Sequence, residues 1–113
     1  MPIRTIRTKF YVFSQNDIQG EYIIEKDVGI NEKTIIEHFD YKSAFYKYKE
    51  IIDNNFFYSD WCECCGFRWV QEDDDTQDGY DDLKFLNCNG YFNYSIIYFD
   101  NRIVSLEVKR KRL

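Results

Sequence analysis

Three of the four cysteines, Cys62, Cys64 and Cys65, lie within four residues, and the fourth is Cys88. Cys62 and Cys65 have the C-x-x-C spacing, which lets two thiolates point at one metal ion while the chain turns around it. Gly66 follows directly, and a residue without Cβ permits the tight bend that such a turn needs. The pattern therefore predicts a small turn stapled by zinc, which prefers four tetrahedral ligands.

The sequence does not identify all four zinc ligands equally well. Cys62 and Cys65 are the best pair, and Cys88 is a reasonable third ligand because the intervening chain is long enough to return. Cys64 adjoins Cys65 and can hardly bind the same ion without strain, so His38 or an acidic residue could be the fourth ligand. Four protein ligands leave no open position for water, so we expect such a zinc to be structural. The alternative is four free cysteines, some of them buried as small hydrophobic residues.

Enzymatic roles for these residues have weaker support. A nucleophilic thiol usually needs a nearby base, and His38 is the only histidine in the chain. Nothing in the spacing brings His38 to Cys64. A thiol redox role for Cys62 and Cys65 is a further alternative, although the motif does not open a helix after a strand as in thioredoxin-like proteins. We find no catalytic constellation and expect a non-enzymatic protein.

Charge is distributed unevenly along the chain. The net charge is -5, yet residues 1–11 carry +3 and residues 102–113 carry +4, so the centre carries -12. Asp74 fits the first position of an EF-hand calcium loop, but the twelfth position is then Phe85, where a bidentate Glu is required, and we reject that reading. The segment 71–82 is predicted to be a solvated loop, or a surface whose carboxylates imitate phosphates for a DNA-binding protein. Its candidate partner-binding residues are Asp73, Asp74, Asp75, Asp78, Asp81 and Asp82.

The basic ends favour a second class of function, the binding of nucleic acid. Their cations could contact phosphates if the terminal strands lie side by side, and tyrosines on one strand could stack on bases. The alternative is a solubilising tail with tyrosines in the core. The cations are Arg4, Arg7, Lys9, Lys109, Arg110, Lys111 and Arg112, and the tyrosines are Tyr91, Tyr94 and Tyr98.

Length and composition fit one domain spanning residues 1–113. Hydrophobic residues make up 44% of the chain and aromatic residues 19%, which predicts a core built largely from rings. The N-terminus lacks the apolar run of a secretory signal, and no stretch approaches the roughly 18 apolar residues of a membrane span. We therefore expect a cytoplasmic protein that does not bind membranes and whose thiols stay reduced, a compartment in which clustered cysteines are more often metal ligands than disulfides.

Hydrophobic periodicity predicts the elements that must position these residues. Asp40 is a plausible N-cap for an amphipathic helix that begins at Tyr41 and is ended by Asn54 and Asn55. Strands are predicted over 8–13, 22–25, 34–39, 91–99 and 102–109, the last two as a hairpin. In its last strand Val104, Leu106 and Val108 are predicted to be buried, with Ser105, Glu107 and Lys109 outward. The fold class is α+β, with one helix packed on an antiparallel or mixed sheet.

Two motifs carry a resemblance to an uncharacterised family of small proteins encoded by tailed bacteriophages. The first is the FYVFSQN-like strand at residues 10–16, and the second is the C-x-C-C-G-x-R-W motif at residues 62–69. The strand and helix between them and the aromatic hairpin also correspond in order, whereas residues 17–20, Phe67 and the acidic insert depart from the family. The resemblance implies a phage origin and the cytoplasm of an infected bacterium. It implies no activity, and we expect an accessory protein that binds a host protein.

Overall fold

The computed structural model describes residues 7–16, 22–54, 61–62, 66–69, 78–88 and 93–106, and for 61–62, 66–67 and 87–88 it describes the backbone alone. One α-helix, α1, spans Tyr41–Asn54. Short 3-10 helices span Lys26–Val28 and Lys84–Cys88. The strands, in chain order, are β1 (Lys9–Ser14), β2 (Lys33–His38), β3 (Trp61–Cys62), β4 (Gly66–Phe67), β5 (Tyr94–Ile97) and β6 (Ile103–Leu106).

Four of these strands form one mixed sheet in the order β1-β2-β5-β6. The β1–β2 and β5–β6 pairs are antiparallel, whereas the central pair β2–β5 is parallel. A parallel pair needs a long crossover connection, and α1 lies within the one that joins β2 to β5. The predicted α+β class with one helix and a mixed sheet is therefore confirmed.

The helix begins where the sequence predicts. The Oδ1 of Asp40 accepts the backbone N–H of Ser43 at 2.7 Å, which satisfies one of the amides that the first helical turn leaves without an intrahelical partner. Ala44, Tyr48 and Ile52 recur at every fourth position and form the buried stripe of α1. That stripe packs on β1 and β2, where the Phe13 ring stacks on Tyr48 with ring centroids 4.8 Å apart.

Both faces of β1 are covered, which explains its unbroken apolar sequence. Tyr11 and Phe13 face α1, whereas Phe10 and Val12 lie in a second core on the opposite face. Residues 80–86 supply the cover for that second core, although the sequence predicted a solvated loop up to residue 82. The covering side chains are Tyr80, Leu83, Phe85 and Leu86.

The predicted strand over 22–25 does not form. The backbone groups of Ile23 bond to the side-chain amide of Gln15 instead of to a neighbouring strand. Gln15 Nε2 donates to the Ile23 carbonyl at 2.5 Å, and Gln15 Oε1 accepts the Ile23 N–H at 3.0 Å. Gln15 Nε2 also donates to the Asn31 carbonyl at 2.8 Å. The chain then turns through Gly29, at φ 87°, where a Cβ would lie 2.7 Å from the Ile97 side chain. This segment is therefore a loop fixed by a side chain.

The β5–β6 hairpin forms as predicted, but its last strand presents the other face. Val104 and Leu106 are exposed, whereas Ser105 is half-buried and its Oγ lies 2.8 Å from that of Ser95. The reason is that Ile103 faces the α1 side, where it packs against the first core, and Ser105 lies on the same side of the strand. Residues 91–92 and 107–109, the predicted ends of this hairpin, lie outside the described residues.

Within the described ranges, no helix combines the length and the apolar character that crossing a membrane requires.

Candidate partner-binding surface

The cysteine motif folds into a hairpin as far as the structure describes it. Trp61 pairs with Phe67 and Cys62 with Gly66, the residue that follows Cys65 in the sequence. Cys88 is the last residue of the second 3-10 helix. Cys64 and Cys65 lie outside the described residues. Among the side chains that are described, no group of three or more His, Cys, Asp or Glu residues could hold a metal ion.

The hairpin lies at the opposite end of β1 from His38. Arg68 directly follows β4, and its backbone carbonyl accepts the backbone N–H of Asn16 at 2.7 Å. Asn16 lies just beyond the C-terminal end of β1. His38 pairs with Lys9, at the start of β1. Seven residues of extended chain separate Lys9 from Asn16, a distance of roughly 23 Å. Zinc–ligand bonds are about 2 Å long, whereas the described part of the hairpin and His38 lie at opposite ends of β1, and the fourth ligand stays a prediction.

Part of the predicted acidic surface is anchored to the edge of β1. Tyr80 and Phe10 exchange two backbone hydrogen bonds of 2.8 and 2.9 Å. Gly79, at φ 71°, fits so closely that a Cβ would lie 2.9 Å from both Lys9 and the Tyr11 ring. These contacts hold Asp78, Asp81 and Asp82 in place, with Asp81 and Asp82 exposed. The other predicted acids, Asp73, Asp74 and Asp75, lie outside the described residues.

The predicted basic surface is only partly described, and its described part meets the acidic one. Lys9 Nζ lies 3.8 Å from Asp81 Oδ1 and donates to the Asp78 carbonyl at 3.4 Å. Lys9 is therefore already engaged by acidic-segment residues, while Arg7 is exposed. The remaining predicted cations lie outside the described residues: Arg4, Lys109, Arg110, Lys111 and Arg112.

The tyrosines predicted to stack on bases are half-buried instead. Tyr94 and Tyr98 pack against the second core, and Tyr98 also carries the Arg102 guanidinium, 4.3 Å from its ring centroid. Tyr91 lies outside the described residues. Two of the three predicted stacking rings therefore contribute to the core.

A different set of rings is exposed at the end of the sheet where β2 and β5 finish. Phe39 and Phe99 follow these parallel strands and meet with centroids 4.8 Å apart. Their exposed fractions are 45% and 42%. His38 contacts both rings edge-on, at 5.3 and 5.5 Å. We refer to His38, Phe39 and Phe99 as the ring cluster.

Sequence reasoning missed the ring cluster because it assigned each ring to the end of a predicted strand. The available signal was that each phenylalanine directly precedes an aspartate, Asp40 or Asp100, that begins a helix or a turn. A residue directly before such an aspartate lies beyond the last paired residue of its strand. Only the parallel pairing of β2 with β5 brings the two rings together.

Glu37 fixes this end of the sheet. Its Oε2 accepts the Thr8 hydroxyl at 2.6 Å, and its Oε1 accepts the backbone N–H of Phe99 at 2.9 Å. One carboxylate thereby joins the start of β1, the end of β2 and the β5–β6 turn. The ring cluster is therefore held by the hydrogen bond from the Phe99 backbone to Glu37 as well as by the contacts between its rings.

The electrostatics of His38 favour a neutral imidazole. Its Nδ1 accepts the backbone N–H of Phe39 at 2.9 Å, which requires that this nitrogen carry no proton. Burial lowers the pKa of His38 below its ordinary value, and nearby Lys47 lowers it further, although Asp40 opposes them. The surface that the ring cluster presents is therefore apolar and uncharged at neutral pH.

A search of curated proteins found no match to the chain, and neither did a search of solved structures. The family model described as "Domain of unknown function (DUF7296)" matches residues 8–100. This match covers β1 through β5 and includes the ring cluster, the cysteine motif and the acidic segment. The chain therefore belongs to this uncharacterised domain family.

Proposed function

We propose that this protein is a non-enzymatic binding protein whose ring cluster is the anchor for a partner protein. The observation that carries the proposal is the contact of Phe39 with Phe99 while both rings stay more than 40% exposed. Aromatic side chains are enriched at protein interfaces and supply much of their binding energy. Because the two rings contact each other and Glu37 holds the backbone of Phe99, the pair loses little conformational freedom on binding.

In this proposal the acidic segment borders the ring cluster and forms the edge of the binding surface. Asp81 contacts Lys9, and Lys9 pairs across the sheet with His38, so the acids begin one strand away from the ring cluster. A partner with an apolar centre and basic rim complements this arrangement. Following the resemblance to phage proteins, we propose that the partner is a host protein in the cytoplasm of an infected bacterium.

The test compares binding by the wild-type chain and by the double variant Phe39→Ser, Phe99→Ser. Proteins retained from a bacterial lysate by the immobilised wild type are identified, and the Kd of the purified partner is then measured. We expect the double variant to bind at least about 30-fold more weakly, since hot-spot residues contribute about 2 kcal/mol or more. The matched control is Tyr46→Ser, which removes a ring that is 57% exposed on the helix.

The contribution of the acids is tested separately. Replacing Asp73, Asp74, Asp75, Asp78, Asp81 and Asp82 by Asn should abolish partner binding and leave the circular dichroism spectrum unchanged. Equal binding by the double ring variant and the Tyr46→Ser control would overturn the proposal. Retention of nucleic acid instead of protein, lost on deletion of residues 109–113, would favour the alternative of a nucleic-acid-binding module using Arg4, Arg7, Lys9 and the basic tail.

We also propose a structural zinc on the cysteine hairpin, with ligands from Cys62, Cys65 and Cys88 and with Cys64 as the remaining candidate. The pairing of Cys62 with Gly66 supports it, because a tight hairpin around a C-x-x-C sequence is a common form of zinc-binding turn. Native mass spectrometry of protein purified without chelator should give one zinc per chain. Removal by EDTA should unfold the domain in circular dichroism, whereas a folded, metal-free protein would refute the proposal.

A further inference from the structure

A groove of about 260 Å³ lies on the α1 side of the sheet. It is bounded by the C-terminal half of α1, the first 3-10 helix and the β5–β6 hairpin. This volume is slightly below that of a drug-sized pocket, so a ligand would be small. Its lining is divided into an apolar part, Val28, Ile51, Ile97 and Ile103, and a polar part, Lys47, Glu50, Asn54 and Asn101.

The ammonium group of Lys47 lies at this groove and bonds to a neutral side chain. Its Nζ donates to Asn101 Oδ1 at 2.6 Å, a neutral acceptor. Across the described part of the chain, no carboxylate lies within 4.0 Å of it. An ammonium has three donors, so two remain beyond the bond to Asn101. A partly desolvated cation with unused donors is suited to an anion.

Burial and the nearby acids act on the pKa of Lys47 in opposite directions. Burial lowers the pKa of Lys47, while Glu50, Asp100 and Glu37 oppose that shift from a distance. The same acids exclude ligands of high negative charge, and a phosphate dianion would require more than one cation. A single negative charge on the ligand is therefore the best match.

Asn101 provides a second donor beside the ammonium. Its side-chain oxygen accepts from Lys47, so its amide nitrogen can donate to the same ligand atom or its neighbour. The residue is fixed in the left-handed conformation at φ 69°, and its backbone N–H donates to the Tyr98 carbonyl at 2.8 Å. Both donors therefore line the groove together with Ile51, Ile97 and Ile103.

We propose that this groove binds a small aliphatic carboxylate. The carboxylate oxygens accept hydrogen bonds from Lys47 Nζ and Asn101 Nδ2, and the hydrocarbon chain lies on Ile51, Ile97 and Ile103. The same chemistry is presented by a free short-chain acid and by the C-terminal carboxylate of a peptide ending in an aliphatic residue. The proposal is independent of the ring cluster, because it uses neither Phe39 nor Phe99.

The test is a titration of the full-length 15N-labelled chain with hexanoate, followed by amide chemical shifts. We expect saturable shifts at Lys47, Ile51, Asn101 and Ile103, with a dissociation constant in the millimolar range. Hexylammonium, which has the same tail and the opposite charge, should produce no saturable shift at these residues. N-acetyl-leucine and N-acetyl-leucinamide then distinguish a chain-terminal carboxylate, since only the former should bind if peptides are ligands, and neither should bind if the groove takes free acids alone.

Two variants connect the binding to the proposed donors. Lys47→Met keeps the length of the side chain and removes its charge, and should weaken hexanoate binding at least tenfold. Lys49→Met changes an exposed lysine on the outer face of α1 and should leave binding unchanged. Asn101→Gly removes the amide at a position where glycine adopts the same backbone conformation without strain, so it should weaken binding while the fold is retained.

The proposal is overturned if hexanoate produces no saturable shifts in the groove, if hexylammonium binds as tightly, or if Lys47→Met binds hexanoate like the wild type. Circular dichroism of each variant confirms that the comparison is made between folded proteins.

Discussion

Replacing Tyr48 by Phe should stabilise this protein. The Tyr48 side chain is fully buried between α1 and the sheet, stacked on Phe13 and edge-on to Trp69. Among the described residues, its hydroxyl has no hydrogen-bond partner. A buried hydroxyl without a partner loses its bonds to water on folding, which costs about 1–3 kcal/mol. The Phe variant keeps both ring contacts and removes that cost.

The expected gain in the free energy of unfolding is about 1 kcal/mol, at the lower end of this range because the removed oxygen leaves a small void. An unfolding entropy of about 2.1 cal/mol/K per residue over 113 residues converts this gain to a rise in Tm of about 4 °C. Urea denaturation and calorimetry at neutral pH measure both quantities. Tyr46→Phe is the control, since its exposed hydroxyl is hydrated in both states and its removal should change neither quantity.

The same hydroxyl predicts a pH dependence. Burial raises the pKa of Tyr48 well above its ordinary value of 10.0. The unfolded chain therefore loses the phenolic proton near pH 10 while the folded chain retains it, so the wild type loses stability as pH rises above 10. The Tyr48→Phe variant should show a shallower decline. A variant less stable than the wild type at neutral pH would refute the reasoning, because it would mean that the hydroxyl makes a bond that stabilises the fold.

Three further predictions concern the supports of the candidate surfaces. Gln15→Ala should lower the free energy of unfolding by about 2–4 kcal/mol in urea denaturation, because it removes a buried side chain that makes three hydrogen bonds to the 22–31 loop; a loss below 1 kcal/mol would contradict this role. Gly79→Ala should detach the acidic segment from β1, since a methyl would lie 2.9 Å from the Tyr11 ring, and faster hydrogen exchange at the Phe10 and Tyr80 amides would reveal it. His38→Asn should reduce the loss of stability on acidification, because the lowered pKa of His38 gives the wild type stability that is present above pH 6.5 and is lost as pH falls through the folded pKa; identical profiles of Tm against pH would exclude the effect.

Local sequence signals were sufficient where an element is determined by its own residues. The Asp40 cap and the four-residue spacing of Ala44, Tyr48 and Ile52 predict α1 with its correct start. The apolar run of β1 predicts a strand, and the structure shows that both faces of this strand are covered. In these elements the local preference and the tertiary environment agree.

The sequence was insufficient where a distant residue determines the outcome. The apolar residues 22–24 resemble a strand, but Gln15 takes the hydrogen bonds that a neighbouring strand would make. Val104 and Leu106 alternate as a buried face would, yet it is Ile103 that packs against the first core. The ring cluster depends on strand pairing between distant segments, which no local pattern reports.

The parallel pairing at the centre of the sheet has a consequence for synthesis on the ribosome. Lys33 pairs with Tyr94, although 61 positions separate them in the chain. The β1–β2 pair and α1 can form early from local contacts, but the inner edge of β2 remains open until β5 has left the exit tunnel. Translation that stops before residue 94 would therefore release a chain with an unpaired apolar strand edge, a species prone to aggregation and degradation. Pairing of β5 with β2 is therefore the step that closes this edge in the nascent chain.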